Sequence, residues 1–109
     1  MAAAGMPDGT YRLGDLSVTV TAGVARLAGN PAAIAGSTAT MDQVVRHAIS
    51  VVGLSVPDVA AAASTTPARR LGLAGETGAL HPGLSADLVL LDGDFRLTTV
   101  MASGAVIPV

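Results

Sequence analysis

The chain has 109 residues, half of them apolar, with a net charge of −2, no lysine and no cysteine. This length suits one domain and is too short for the large barrel folds, which need roughly 250 residues. The scattered charges exclude nucleic acid and anionic membranes as expected partners. The lack of cysteine excludes a disulfide framework and thiolate metal sites, and it is compatible with the cytoplasmic location that we expect.

The apolar residues are mostly small. Twenty-one are alanine, and the aromatic residues are one Phe and one Tyr. Because alanine buries little area and aromatic side chains normally dominate core energetics, we expect a thin core. A thin core is typical of a piece of a larger protein. No segment approaches the roughly 20 apolar residues of a membrane-spanning helix, and the N-terminus does not have the pattern of a signal peptide.

The first third of the chain predicts short strands. Residues 1–10 are rich in Gly, Pro and Asp and predict a loop. In the next segment Leu16, Val18 and Val20 alternate with polar residues, which is the period of a half-buried strand. Turn residues separate the predicted strands, Tyr11–Leu13, Leu16–Val20 and Val24–Leu27, and a second loop is predicted at Gly29–Ala33.

The middle of the chain predicts helices. The pair Thr40 and Gln43 fits a capping box that opens an amphipathic helix, and Gly53 ends it. A second helix start is predicted at Ser55–Asp58. A third, separate short helix is predicted from Thr66-Pro67 through Leu71, with Gly72 as its stop.

The end of the chain predicts a three-stranded meander. Pro82-Gly83 predicts a tight turn, and the apolar run Leu88–Leu91 is typical of a strand covered on both faces. Asp92-Gly93-Asp94 and Ser103-Gly104 predict turns before two further strands, Phe95–Ala102 and Ala105–Ile107. Strands, then helices, then strands indicate the α+β class.

Three stretches resemble a known family. Gly78–Asp92 has the pattern G-x-L-x-P-G-x-x-A-D-L-V-L-L-D, which resembles the closing segment of the amidohydrolase superfamily. Ala35–Asp42 resembles the (S/A)-G-S-x-x-T-M segment of the N-acetylglucosamine-6-phosphate deacetylases, and Ala63–Arg69 resembles their A-(S/T)-x-x-P-A-R segment. Pro7–Tyr11 and the strands after it are similar to the hairpin region of the same family. The resemblance covers essentially the whole chain.

The resemblance implies a C-terminal fragment of a metal-dependent amidohydrolase. Residues 1–75 would be the last helices of a TIM (β/α)8 barrel with a β-hairpin insertion, and residues 76–109 would be strands of the accessory β-sandwich. In the family the catalytic Asp ends the last barrel strand in a T-D-A motif, and Met1–Gly5 resembles the continuation of that motif. The metal-binding Glu and His residues also lie upstream in the family. We therefore expect no catalytic residue and no metal ligand here, and no turnover by the chain alone.

The resemblance also implies the chemistry of the complete enzyme. A divalent metal would activate the water that hydrolyses the acetamide of N-acetylglucosamine 6-phosphate, giving glucosamine 6-phosphate and acetate. Partners would be the missing N-terminal part of the enzyme, the amino-sugar phosphate and, for the full enzyme, further copies of itself. The backbone of Ile34, Ala35 and Gly36 would contact the sugar phosphate, since Gly36 permits close approach and the following helix N-terminus favours anions.

Other polar residues have simpler explanations. His47 and His81 lack metal-ligand spacing and are expected at the surface. Asp42 suits the first turn of a helix, and the pair Arg69-Arg70 suits a solvated helix end. Asp87, Asp92 and Asp94 are expected in turns, and neither Ser37 nor Ser64 has a visible base partner.

Two alternatives remain open from the sequence. A different cyclic-amide amidohydrolase, similar to dihydroorotase, shares the closing segment but not the G-S-x-x-T-M element. A non-catalytic α+β module that binds a partner through uncovered apolar faces is the second alternative.

Overall fold

A computed structural model of the chain describes residues 3–108, which adopt the predicted α+β class. The chain divides into two compact units, Met1–Thr40 and Met41–Val109. The loop predicted for residues 1–10 is confirmed from residue 3 to residue 8, and Met1 and Ala2 lie outside the described residues.

The first unit contains a four-stranded antiparallel sheet. Each strand pairs with the next in the order β1-β2-β3-β4. The strands are β1 (Gly9–Leu13), β2 (Leu16–Thr21), β3 (Val24–Leu27) and β4 (Asn30–Ile34). The three strands predicted in this region are confirmed, each to within two residues.

The core of the first unit lies on one face of β2. Val18 and Val20 are 1% and 2% exposed, and they pack with Ala3 and Ala25. Leu16 continues the alternation but is 53% exposed. It pairs only with Leu13 at the β1–β2 turn, beyond the reach of β3, whose pairing with β2 begins at Val18.

Strand β4 corrects the loop predicted at Gly29–Ala33. Strand β4 contains Pro31, but it is an edge strand, where the missing N–H of a proline need not bond a neighbour. The register between β3 and β4 shifts at Arg26/Leu27, so that part of β4 bulges away from its partner. The Arg26 guanidinium donates to the Pro31 carbonyl over 2.9 Å and holds the bulge in place.

The second unit begins with helices. Helix α1 is Met41–Ser50 and begins directly after Thr40, as predicted. Helix α2 (Val56–Ala60) follows the N-cap Ser55, whose hydroxyl accepts the Asp58 N–H over 3.2 Å. The second helix start is thereby confirmed.

The predicted separate third helix is wrong. Helix α2 continues through a π-helical turn, Ala61–Thr65, directly into helix α3, Thr66–Arg70. The N–H of Thr66 bonds the carbonyl of Ala61, five residues back, which widens the helix one residue before Pro67. This wider turn accommodates a proline that would clash in a regular α-helix.

The stop at Gly72 is confirmed. Gly72 has a φ of +76°. Its N–H bonds the Arg69 carbonyl, and the Leu73 N–H bonds the Ala68 carbonyl over 2.8 Å. This pair of bonds is a Schellman motif, which satisfies the last carbonyl groups of the helix.

A three-stranded antiparallel meander completes the second unit. Its strands, in the order β5-β6-β7, are β5 (Leu88–Leu91), β6 (Leu97–Ala102) and β7 (Ala105–Ile107), as predicted. The expectation that β5 is covered on both faces is wrong for the described residues. Val89 is 56% exposed and its neighbour Leu90, on the other face, is 53% exposed.

The core is thin, as the composition predicts. The buried apolar residues of the described part are three valines and three alanines: Ala3, Val18, Val20, Ala25, Val59 and Ala68. No helix in residues 3–108 is long and apolar enough to cross a membrane.

Candidate functional site

The segment Ile34–Gly36 leaves the sheet of the first unit at the end of β4. Ile34 is 69% exposed, whereas Ala35 packs against the core and donates its N–H to the Ala25 carbonyl over 2.8 Å. Gly36 has a φ of +114°, which favours glycine, and nothing lies within 4 Å of the position a Cβ would take. The backbone here is therefore open to a ligand.

The turn between β2 and β3 is hydrogen-bonded to Thr38, which follows this segment. Ala22 and Gly23 both have positive φ, 49° and 73°, as in a type I′ hairpin turn. The Asp8 carboxylate accepts both of their N–H groups, over 2.6 Å from Ala22 and 3.0 Å from Gly23. These two bonds hold the pKa of Asp8 below its ordinary value, and the bond from Gly23 has the larger effect.

Two hydroxyl residues follow Gly36. The Ser37 hydroxyl accepts the Ala39 N–H over 3.0 Å, so Ser37 shapes the chain locally. Thr38 makes longer-range bonds, because its hydroxyl donates to the Gly23 carbonyl over 2.6 Å and its own carbonyl accepts the Gly5 N–H over 2.8 Å.

Within residues 3–108 neither histidine lies in a cluster of potential metal ligands. His47 is exposed on α1, and His81 is exposed with its Nδ1 2.9 Å from the Pro82 carbonyl oxygen. Across residues 3–108 no three His, Cys, Asp or Glu side chains gather as a metal site would require. The described residues therefore do not supply a complete set of ligands for the divalent metal that the resemblance implies.

Asp87 and Asp92 hold turns near the end of the chain. The Asp92 carboxylate accepts the N–H groups of Asp94 and Arg96 over 2.9 and 2.8 Å. Asp94 and Arg96 form an exposed ion pair at 3.9 Å, a kind of pair that contributes little. The Asp87 carboxylate accepts the Ser103 N–H over 2.7 Å, at the Ser103-Gly104 turn. These contacts match the turn roles that the sequence suggests.

The remaining candidates lie on helices of the second unit. Arg69 and Arg70 are exposed in the last turn of α3, and Ser64 is exposed in the π-helical turn. Asp42 lies in the first turn of α1.

The second unit contains an open cleft of about 730 Å³. Helix residues such as Val45 and Ile49 form one side, and strand residues such as Leu88 and Met101 form another. Most of its lining is aliphatic, with Ser64, Thr65, Thr77 and Asp87 as the polar members: Val45, Ile49, Val56, Val59, Ala60, Ala63, Ser64, Thr65, Thr77, Gly78, Ala79, Leu80, Asp87, Leu88, Val89, Leu91, Val100 and Met101.

Sequence reasoning missed Asp8 and Thr38. The nearest signal was the Ala22-Gly23 turn, because a two-residue hairpin turn exposes N–H groups that an upstream acid can accept. Nothing in the spacing of Asp8 and Ala22, 14 residues apart, indicated this contact.

The Amidohydrolase family profile matches residues 5–107. The match covers nearly all of the chain, and the chain belongs to the Amidohydrolase family.

Within this family the chain is similar to sugar-phosphate deacetylases. It is 38% identical over 95% of its length to the N-acetylgalactosamine-6-phosphate deacetylase of Escherichia coli O157:H7. It is 37% identical over 96% of its length to the N-acetylglucosamine-6-phosphate deacetylase of Mus musculus. A variant N-acetyl-D-glucosamine-6-phosphate deacetylase from Mycobacterium smegmatis, solved in complex with N-acetyl-D-glucosamine-6-phosphate, matches 97% of the chain with 51% identity and a TM-score of 0.79.

The chain is much shorter than these relatives. It spans 27% of the E. coli O157:H7 protein, 25% of the mouse protein and 28% of the M. smegmatis chain. It spans 61% of a homologue from E. coli strain K12.

Proposed function

We propose that this chain contributes one part of an N-acetylglucosamine-6-phosphate deacetylase. The observation that carries the proposal is the 51% identity, over 97% of the chain, to the M. smegmatis deacetylase solved with N-acetyl-D-glucosamine-6-phosphate. The reaction would hydrolyse the acetamide to give glucosamine 6-phosphate and acetate. The divalent metal of such an enzyme, and the base that accepts the proton of water, would come from the part of the deacetylase that this chain does not match.

The contribution of this chain would be substrate contact through Ile34–Gly36. The open backbone at Gly36 and its positive φ support close approach of a sugar phosphate. In the proposed assignment, residues 1–75 belong to the barrel region and residues 76–109 to the β-sandwich. The complete enzyme would act in the cytoplasm, with which the absence of cysteine from this chain is compatible, and self-association of the complete enzyme stays a prediction.

The epimeric sugar is the second candidate substrate. The 38% identity to the E. coli O157:H7 N-acetylgalactosamine-6-phosphate deacetylase favours it. The two substrates differ only in the configuration of one hydroxyl, and nothing among the described residues 3–108 selects between them.

A chimeric enzyme tests the proposal. The chain is joined to the part of the M. smegmatis deacetylase that it does not match, and acetate release is measured with both hexosamine 6-phosphates. We expect metal-dependent release, faster with the glucosamine derivative, and none from the 109-residue chain alone. Inactivity of the soluble, folded chimera on both substrates would refute the proposed function, and faster turnover of the galactosamine derivative would favour the second candidate.

A further inference from the structure

We propose that Thr38 is a positioning residue that holds the Ile34–Gly36 backbone in its ligand-binding geometry, and that it acts through the Ala22-Gly23 turn and Asp8. This inference rests on the proposed function, because it assumes that Ile34–Gly36 contacts substrate.

Thr38 connects the Ile34–Gly36 segment by hydrogen bonds to two segments that are distant in sequence. Its hydroxyl donates to the Gly23 carbonyl over 2.6 Å, and its carbonyl accepts the Gly5 N–H over 2.8 Å. A single residue, two positions after Gly36, is thus bonded to a hairpin turn 15 residues upstream and to the beginning of the described chain.

Asp8 binds the same turn through the N–H groups of the turn. Its two carboxylate oxygens accept the Ala22 and Gly23 N–H groups over 2.6 and 3.0 Å. The turn is therefore bonded by its N–H groups to Asp8 and by a carbonyl to Thr38. Since Gly5 and Asp8 are three residues apart, the bonds form a ring through three segments: the N-terminal loop, the β2–β3 turn and the loop after β4.

The Ile34–Gly36 segment depends on this ring because few other contacts fix the position of Gly36. On one side Ala35 is bonded to the Ala25 carbonyl over 2.8 Å. On the other side the first anchor to another segment is Thr38. Among the described residues nothing lies within 4 Å of the position that a Cβ of Gly36 would take, so no side chain packs on that side of the glycine. Loss of the Thr38 hydroxyl would remove the bond to the β2–β3 turn and leave the Gly5 N–H as the remaining bond from another segment to Thr38.

The two side chains that form the ring lie outside the buried cluster of the unit. The buried cluster consists of Ala3, Val18, Val20 and Ala25, and neither Thr38 nor Asp8 belongs to it. We therefore expect removal of the hydroxyl to leave this buried cluster in place and to change the loop after β4.

Amide hydrogen exchange in the full 109-residue chain tests the geometry. In Thr38→Val, which keeps the shape and loses the hydroxyl, we expect the Gly5 and Ala35 amides to exchange about tenfold faster while the Val20 amide is unchanged. Thr38→Ser restores the hydroxyl and should restore protection. Thr10→Val, the same change at an exposed position of β1, is the matched control. Equal exchange in Thr38→Val and the unsubstituted chain would overturn the proposal.

Steady-state kinetics of the chimera test the role. We expect Thr38→Val to raise KM for N-acetylglucosamine 6-phosphate about tenfold with kcat nearly unchanged, and Thr38→Ser to reverse the effect. A purely structural role would lower the amount of active enzyme, and hence the apparent kcat, at constant KM. That result would also overturn the proposal. If the unsubstituted chimera is active and Thr38→Val does not change KM, the proposed function stands and only the positioning role fails.

Discussion

At the scale of single residues, Asp8 gives the first unit a dependence on pH. Its carboxylate accepts two turn N–H groups, and these bonds lower its pKa from the ordinary value of 3.8. A group whose pKa is lower in the folded chain stabilises the fold above its ordinary pKa, and this contribution is lost as the pH falls through the folded value.

We predict that Asp8→Asn lowers the thermal unfolding midpoint at pH values above the ordinary pKa of the carboxyl, and that the difference from the unsubstituted chain shrinks as the pH falls through the lower pKa of the folded chain. Circular dichroism melts across this range provide the measurement. Asp15→Asn is the control, because among the described residues the Asp15 carboxylate has no hydrogen-bond partner. A deficit that is the same at every pH would show that the charge of Asp8 does not matter.

Among the glycines of the second unit, Gly78 has the least space for a side chain. It has a φ of +97°, and an added Cβ would lie 2.5 Å from the Ala68 Cβ. The Thr65 hydroxyl donates to the Gly78 carbonyl over 2.7 Å, which fixes this close approach.

Gly78→Ala should therefore reduce the free energy of unfolding by about 2 kcal/mol, from overpacking and an unfavourable φ together. Gly75→Ala should have little effect or stabilise slightly, because nothing lies within 4 Å of that site and its φ is not positive. Urea denaturation of both variants measures the difference in unfolding free energy. Equal denaturation midpoints for Gly78→Ala and Gly75→Ala would contradict the packing argument.

At the scale of elements, the start of α2 depends on one side chain. Ser55 accepts the Asp58 N–H over 3.2 Å and donates its own hydroxyl to the Asp58 carboxylate over 2.6 Å. We predict that Ser55→Ala lowers the free energy of unfolding by about 1 kcal/mol. Ser64→Ala, at an exposed position of the same continuous helix, should change it by less than about half as much. Denaturant titrations followed by helical ellipticity compare the two.

Local signals were sufficient for most elements. Alternation at Val18 and Val20 and the turn residues around each strand predicted six of the seven strands. Strand β4 could not be predicted because its pairing includes a bulge held by Arg26 from the neighbouring strand. The continuity of α2 with α3 was missed for a similar reason: Thr66-Pro67 is a normal helix start unless a wider turn precedes it.

At the scale of the whole molecule, apolar surface remains uncovered. Val52 and Met41 are 60% and 64% exposed, and the cleft of the second unit is lined mainly by aliphatic side chains. We predict that the chain enhances the fluorescence of a hydrophobic dye in its folded state. Ile49→Asp, in the cleft, should reduce the enhancement at least twofold, whereas Val51→Asp, 70% exposed and outside the cleft lining, should preserve it. The same signal from both variants would mean that the dye binds elsewhere.

Less of the candidate site than of the fold could be predicted from the sequence. Ile34–Gly36 was selected by resemblance and stays a prediction. Asp8 and Thr38, which we propose to hold this segment in position, bond turn residues that are 14 and 15 positions away in the sequence. Such contacts follow from the pairing register of the strands and not from any local pattern.

The π-helical turn at Ala61–Thr65 has a consequence for the angular phase of the helix. Val59 and Ala68 are both buried, yet nine residues of regular α-helix would place them about 180° apart. One extra residue in the wide turn reduces the angle to about 80°, so both side chains can face inward. A homologue with a regular helix here should therefore align with a one-residue gap inside Ala61–Thr65, and an ungapped alignment would rotate every residue after it by about 100°.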